Sequence, residues 1–278
     1  MSEIKPTKSI GIRKSLVDGP EKVSGKALYS GDFIPAGCLV GRIFRSPISH
    51  GEIVEVDISD AQALPGVKAV ITGDETDEPF GVLPIARFES PLARDKVRYK
   101  GEPIACVAAI DAKTAQRAIE LIKFKYKELP AYFTVQDAMA DSAINIHAHR
   151  EGNIEREVDF DLGETDDGLT AADLIMEQTY NCAEIAQVQS EPHAAIAEYD
   201  AIRDFMTVRA STQVPYYGHK MLAKTLKMEE SKVRMIKPFV GGGFGCRTEC
   251  LNVELICALA ARAAQGTVRL VTSREEAF

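Results

Sequence analysis

An α+β fold is predicted by three features of the 278-residue chain. Short β-prone runs alternate with amphipathic helical stretches, and residues 104–127 read as a complete strand–helix–strand unit. The second half carries a strand, a glycine cluster and an apolar helix in direct succession. Hydrophobic residues make up 45% and charged residues 27%, the balance of a chain with a real core and not of a disordered one. The length points to two domains of ordinary size.

In the first half, residues 39–44 and 53–58 read as strands. Val54, Val56 and Ile58 alternate with acidic residues and are expected to share one buried face. Residues 60–64 form a short helical turn stopped by Pro65-Gly66, and the strand over 67–71 ends at Thr72-Gly73-Asp74. Residues 74–94, rich in proline, glycine and charge, predict a long irregular loop that serves as a contact surface. A strand over 104–110 leads to Asp111, a helix N-cap. Ala115, Ala118, Ile119 and Ile122 then recur at i, i+3, i+4 and i+7, as an amphipathic helix requires. Residues 123–127 alternate with period two and close the unit near Leu129-Pro130, so the first domain ends near Ala140.

Residues 147–173 are polar and acidic, as in a linker or a solvated strand pair. β-Prone stretches follow over 175–189, 194–199 and 205–210. Ser211-Thr212-Gln213 then leads to Pro215, which opens a helix carrying Tyr217, Met221, Leu222 and Leu226. A strand over 233–236 runs to Gly241-Gly242-Gly243-Phe244-Gly245. The helix expected over 249–264 has only Asn252, Glu254 and Arg262 as polar residues in its body and is therefore buried nearly all round. Gly266 stops it, and a strand over 268–271 begins with nothing after it to complete the layer.

A net charge of −8 without a polybasic run argues against nucleic-acid binding. No apolar run approaches the roughly 20 residues of a bilayer span. The N-terminal residues lack an apolar leader, which makes the cytoplasm the expected compartment. The six cysteines, Cys38, Cys106, Cys182, Cys246, Cys250 and Cys257, are dispersed, and free thiols are expected. Cys246, Cys250 and Cys257 run into a helix with no recognised cluster spacing, so no metal ligand is assigned. His147 and His149 read as solvated, and His193, next to Glu191-Pro192, as structural.

The glycine cluster is the most informative stretch. Glycines permit positive φ and close approach of backbone N–H groups to a ligand, and a helix N-terminus favours an anionic or oxo group. It lacks the Lys-Ser/Thr of a P-loop and the spacing of a dinucleotide fingerprint. On physical grounds alone, a ligand cradle and a tight structural turn are both open. Gln213, between a strand and a proline-started helix, carries a neutral amide that can donate to an oxo or carbonyl oxygen, and a surface amide is its plainer reading. No nucleophile elbow, zinc-protease pair or kinase signature is present.

VSGKALYSGDF at residues 23–33, GRIFRSPISHGEIVEVD at 41–57, VRYKGEPIACVAA at 97–109, STQVPYY at 211–217 and VGGGFGCRTE at 240–249 together resemble the large subunit of molybdenum hydroxylases, the xanthine dehydrogenase and aldehyde oxidase family. FGVLPIARFESPLARDKVRYKGEP and GGGFGCRTE look most like the alpha subunit of 4-hydroxybenzoyl-CoA reductase. The resemblance implies an N-terminal arm over 1–22, an α/β hammerhead domain over 23–140, a linker over 141–153, and over 154–278 the first, incomplete part of a molybdopterin-binding α/β domain. It places the amide that approaches the molybdenum oxo ligand on Gln213, and cofactor contacts on Gly242, Gly243, Phe244, Gly245 and Arg247. Thr248 stands where xanthine dehydrogenases carry a substrate-binding glutamate, with Glu249 one place later. These two are the substrate-side candidates, and an aromatic acyl-CoA is favoured over a purine. The resemblance further implies a molybdenum–molybdopterin cofactor in its cytosine dinucleotide form, with 2Fe-2S and FAD on partner subunits. The catalytic glutamate is expected in a part of the large subunit supplied by another chain, within a dimer of heteromers. The enzyme alternative is an aldehyde or aromatic-heterocycle hydroxylase, and the non-enzymatic one is an assembly module.

Overall fold

The computed structural model describes residues 9–81, 87–160 and 162–278. The described residues contain ten strands: β1 (Leu39–Arg45), β2 (Gly51–Asp57), β3 (Val67–Thr72), β4 (Lys96–Val97), β5 (Pro103–Ala109), β6 (Lys123–Glu128), β7 (Ala194–Asp200), β8 (Phe205–Ala210), β9 (Val233–Ile236) and β10 (Thr267–Val271). Three helices carry the packing: α1 (Ala112–Glu120), α2 (Pro215–Leu226) and α3 (Asn252–Ala263).

A seven-stranded sheet runs in the order β3-β5-β1-β10-β7-β8-β9, and a three-stranded sheet in the order β4-β2-β6. The large sheet joins the two halves of the chain, because β1 pairs in parallel with β10 through Leu39↔Val268, Val40↔Arg269 and Gly41↔Leu270. Gly41 permits that contact: a Cβ there would sit 3.2 Å from Leu270 Cβ and from Val268 Cγ1. The expectation that the last strand lacks a layer is thus corrected. β10 is central, flanked by β1 on one side and β7 on the other.

β5 is buried along its whole length because both faces are covered. Cys106 and Ala108 join the core under α3, and Ala105, Val107 and Ala109 pack with Ala115, Ala118 and Ile122 around α1. The α1 N-cap is as expected, with Asp111 Oδ1 accepting from Thr114 N–H at 2.7 Å. Helix α3 begins at Asn252, later than the sequence pattern suggests, because residues 244–247 are spent on a turn; Val253 to Ala261 are all buried.

Two strand expectations fail. In β2 the register shifts between Ile53 and Glu55, which pair with Tyr126 and Lys125. Val54 is the extra residue and is exposed, so it does not share a face with Val56. Residues 175–189 form no strand: β-propensity without a neighbouring edge leaves the ladder unmade. The irregular 74–94 segment packs onto the chain itself at its described ends. Phe80 and Leu92 are buried, Thr76 Oγ1 donates to the Thr225 carbonyl at 3.1 Å, and Lys224 Nζ donates to the Pro79 carbonyl at 2.8 Å. Residues 82–86 of that loop lie outside the described residues. Among the described residues no helix is long and apolar enough to cross a membrane.

Candidate molybdenum-cofactor site

Strand β8 delivers Ser211, Thr212 and Gln213 to the start of α2, and β9 runs through Pro238 and Phe239 into the glycine loop. Gln213 N–H donates to the Arg247 carbonyl at 2.8 Å, which locks the two stretches side by side. The side chain then completes the contact: Gly245 N–H donates to Gln213 Oε1 at 3.1 Å. A Cβ on Gly243 would stand 2.6 Å from that same Oε1, so any other residue there would force the Gln213 amide to shift. Gly242 and Gly245 have φ of +110° and +93°, and Phe244, at +49°, is a non-glycine residue in the left-handed region with an exposed ring.

Within the loop, Cys246 N–H donates to the Gly243 carbonyl at 3.0 Å and Thr248 N–H to the Gly245 carbonyl at 3.1 Å. The N–H groups of Gly242, Gly243 and Phe244 take no hydrogen-bond partner among the described residues, and neither does the Gln213 amide nitrogen. The loop therefore presents a row of neutral donors beside a neutral amide. Such donors stabilise an anionic or oxo group without titrating.

Arg247 faces inward. Its side chain is 1% exposed and that of Glu191 is 9% exposed, with Nη1 donating to Glu191 Oε2 at 2.9 Å. Nη2 donates to the carbonyls of Glu191 at 2.6 Å and Pro192 at 3.2 Å. The Glu191 carboxylate also accepts from Gly241 N–H at 2.7 Å, Ser211 Oγ at 2.5 Å and Ser30 N–H at 3.3 Å. A Cβ on Gly241 would meet Glu191 Cβ at 2.5 Å. Arg247 Nη1 and Nη2 are thus engaged by Glu191 and by main-chain carbonyls and hold the loop in shape, while its buried Nε has no hydrogen-bond partner. Glu191, Ser211 and Ser30 are the residues that sequence reasoning missed. Their signal was a lone carboxylate and two hydroxyls far apart in the chain.

Thr248 and Glu249 are half-buried at the exit of the loop. The Glu249 charge contributes, after burial, to raising the Glu89 carboxyl above the ordinary range. Glu89 lines a cleft of about 290 Å³ with Phe88, Arg98, Tyr99, His147 and His149. The two histidines are exposed, as expected, and lie in tilted ring contacts: the Phe88 and His149 rings are 4.3 Å apart and those of His147 and His149 are 5.7 Å apart. His193 is not paired with Glu191; the Gln189 amide donates to its Nε2 at 3.2 Å. Burial, then Arg247 and Arg274, push the His193 imidazole down to about 4, so it is neutral at pH 7.

Cys250 and Cys257 belong to the core beneath the sheet, where burial raises both thiols. Among the described residues no group of three or more His, Cys, Asp or Glu side chains is placed to hold a metal ion. The donor set fits a metal carried by its own organic ligand, because the loop contacts would reach that ligand or its oxygens and need supply no metal bond.

Comparison with known proteins identifies the family of the fold that carries this site. The aldehyde oxidase and xanthine dehydrogenase a/b hammerhead domain matches residues 24–130, and the molybdopterin cofactor-binding domain matches residues 146–278. The nicotinate dehydrogenase large molybdopterin subunit of Eubacterium barkeri is 35% identical over 96% of this chain and 62% of its own length. A putative xanthine dehydrogenase molybdenum-binding subunit of Escherichia coli K12 is 32% identical over 94% of this chain and 36% of its own length. Quinoline 2-oxidoreductase from Pseudomonas putida 86 superposes with a TM-score of 0.89 at 27% identity, covering 98% of this chain and 36% of that one. The chain belongs to the xanthine dehydrogenase and aldehyde oxidase family and corresponds to a fragment of its molybdenum-binding subunit. It spans between about a third and two thirds of the length of these relatives.

Proposed function

We propose that this chain forms one wall of the molybdenum site in an oxidoreductase that acts on an aromatic substrate, and that it works only with the remainder of the large subunit. The observation that carries this reading is the 3.1 Å contact between Gly245 N–H and Gln213 Oε1, beside three unpartnered loop N–H groups. A molybdenum ion held by a pterin supplies two-electron redox chemistry when bound. This chain's own residues orient it: Gln213 and the N–H groups of Gly242, Gly243 and Phe244 hold its polar atoms. Arg247 and Glu191 keep the loop in shape, and Thr248 and Glu249 stand on the substrate side. The hammerhead reading of residues 23–140 and the molybdopterin reading of 154–278 belong to this proposal, as do the cytosine dinucleotide form, the 2Fe-2S and FAD partner subunits and a cytoplasmic location.

Two aromatic substrates are supported by different observations. The motifs around residues 80–103 and 241–249 favour 4-hydroxybenzoyl-CoA, with reductive removal of the ring hydroxyl. The relatives named for nicotinate and quinoline favour hydroxylation of a nitrogen heterocycle. Thr248, in place of a glutamate, speaks against a purine. Turnover of the assembled enzyme with 4-hydroxybenzoyl-CoA, nicotinate and xanthine separates these readings, and fastest turnover of xanthine overturns the aromatic preference. Gln213→Ala tests the site itself. Molybdenum content is expected to persist while turnover falls about 100-fold, the size of losing one preorganised donor; unchanged turnover removes Gln213 from the site.

A further inference from the structure

Residues 154–188 are exposed at every described position, although part of this stretch is patterned as a half-buried strand. In an extended chain, Leu174, Met176, Tyr180 and Cys182 fall on one face, interrupted by Gln178, and Glu177, Thr179 and Asn181 fall on the other, with Ile175 at its start. Leu174, Met176 and Tyr180 are 76%, 81% and 80% exposed. Residues 174–188 have extended or irregular backbone, belong to no sheet, and make no main-chain hydrogen bond among the described residues. A row of apolar side chains beside a row of unpaired donors and acceptors is a sheet edge without its sheet.

The stretch is not a loose tail. On one side, Asn153 Oδ1 accepts from Ile146 N–H at 2.7 Å and Asn153 Nδ2 donates to the Ala138 carbonyl at 2.8 Å. On the other, Arg274 donates to the carbonyls of Gln189 at 2.8 Å and Ser190 at 2.9 Å. The tied positions are Asn153 and Gln189-Ser190, and the unpaired 174–188 backbone leads directly into the second of them. This chain accounts for 36% of the quinoline oxidoreductase chain, so most of the chain in that relative has no counterpart here.

We propose that residues 174–182 are a docking strand for the remaining part of the large subunit. The strand adds by main-chain pairing to a sheet in that part and inserts Leu174, Met176 and Tyr180 into its core. The inference rests on the reading of this chain as a fragment of a larger subunit. A second copy of this chain is a poorer occupant, because it would offer only the same short edge, and no layer would close over the side chains.

Hydrogen exchange followed by mass spectrometry on the enzyme that carries this sequence, purified from its host, tests the proposal. Amides of residues 174–182 are expected to exchange at least about 100-fold more slowly in that enzyme than in the same sequence as a free unstructured peptide. Equal rates overturn the docking strand. The combined substitution Leu174→Ser, Met176→Ser and Tyr180→Ser is expected to weaken association with the rest of the subunit at least about 100-fold, with the circular dichroism of this chain unchanged. Undiminished association overturns the proposal, and so does concentration-dependent self-association of this chain that protects the same amides. Molybdenum analysis of the same preparation keeps the two readings apart. Metal present with 174–182 freely exchanging overturns the docking strand alone. Metal absent overturns the proposed function, while slowed amides still support the strand.

Discussion

The glycine loop at 241–249 and the stretch at 174–188 are both irregular backbone, yet they are held in opposite ways. In the loop, the buried Arg247–Glu191 pair ties Gly241, Ser211, Ser30 and the 191–192 carbonyls into one network, and the Gln213 amide clasps the far end. In the stretch, apolar side chains face solvent and the backbone has no ladder. Irregular backbone holds one shape when its charges and polar groups find partners inside the chain. Without them, the same kind of backbone is completed by whatever covers it.

The sharpest way to break this contrast is to remove the loop's cation. Arg247→Met leaves the Glu191 carboxylate buried without its partner and is expected to cost about 3–5 kcal/mol in urea unfolding. Adding Glu191→Gln should recover part of that loss, and a loss below about 1 kcal/mol would show that the network is not what holds the loop.

A pH dependence follows from the helix directly behind the loop. Burial pushes the Glu254 carboxyl up to about 8 from an ordinary 4.5, and its Oε2 has no hydrogen-bond partner. The native chain therefore keeps a proton that the unfolded chain releases, so stability falls as pH rises from about 4.5 to about 8 and levels off above that. Glu254→Gln is expected to remove this slope, a difference on the order of a few kcal/mol between unfolding measured at pH 5 and at pH 8. An unchanged slope would place the titration elsewhere.

Gly243→Ala sharpens the comparison within the site. The new Cβ would overlap Gln213 Oε1, so Gln213 must turn away, at a cost of about 1–3 kcal/mol in stability. Turnover per molybdenum in the assembled enzyme should drop about 100-fold through misplacement of the donor. The smallest effect is expected in the exposed stretch. Tyr180→Ser should change the stability of this chain alone by less than about 0.5 kcal/mol, because the ring contacts no core here. A larger loss would mean that the stretch packs on its own chain.

Several features were legible without coordinates because they depend on residues close in sequence. The Asp111 cap, the 3.6-residue period of α1, the proline-started α2 and the apolar α3 are decided by neighbours within a few positions. The same holds for the glycine cluster, whose composition already signals positive φ and close approach. Gln213 and the loop were each visible as single signals, 32 residues apart, and only the fold shows that they touch.

The remaining features were decided by partners that no local pattern names. Pairing of β1 with β10 makes the last strand central to the sheet, and the extra residue at Val54 turns one side chain out of an otherwise regular alternation. The Arg247–Glu191 brace spans 56 residues and ties the arginine of the glycine loop to the stretch that leads into β7. The sequence by itself determined the periodic elements, the turn chemistry and the family, because these are written in short windows and in their order. Tertiary structure decided strand neighbours, buried charge pairing and which β-prone stretch goes unpaired, because each depends on what the fold brings alongside.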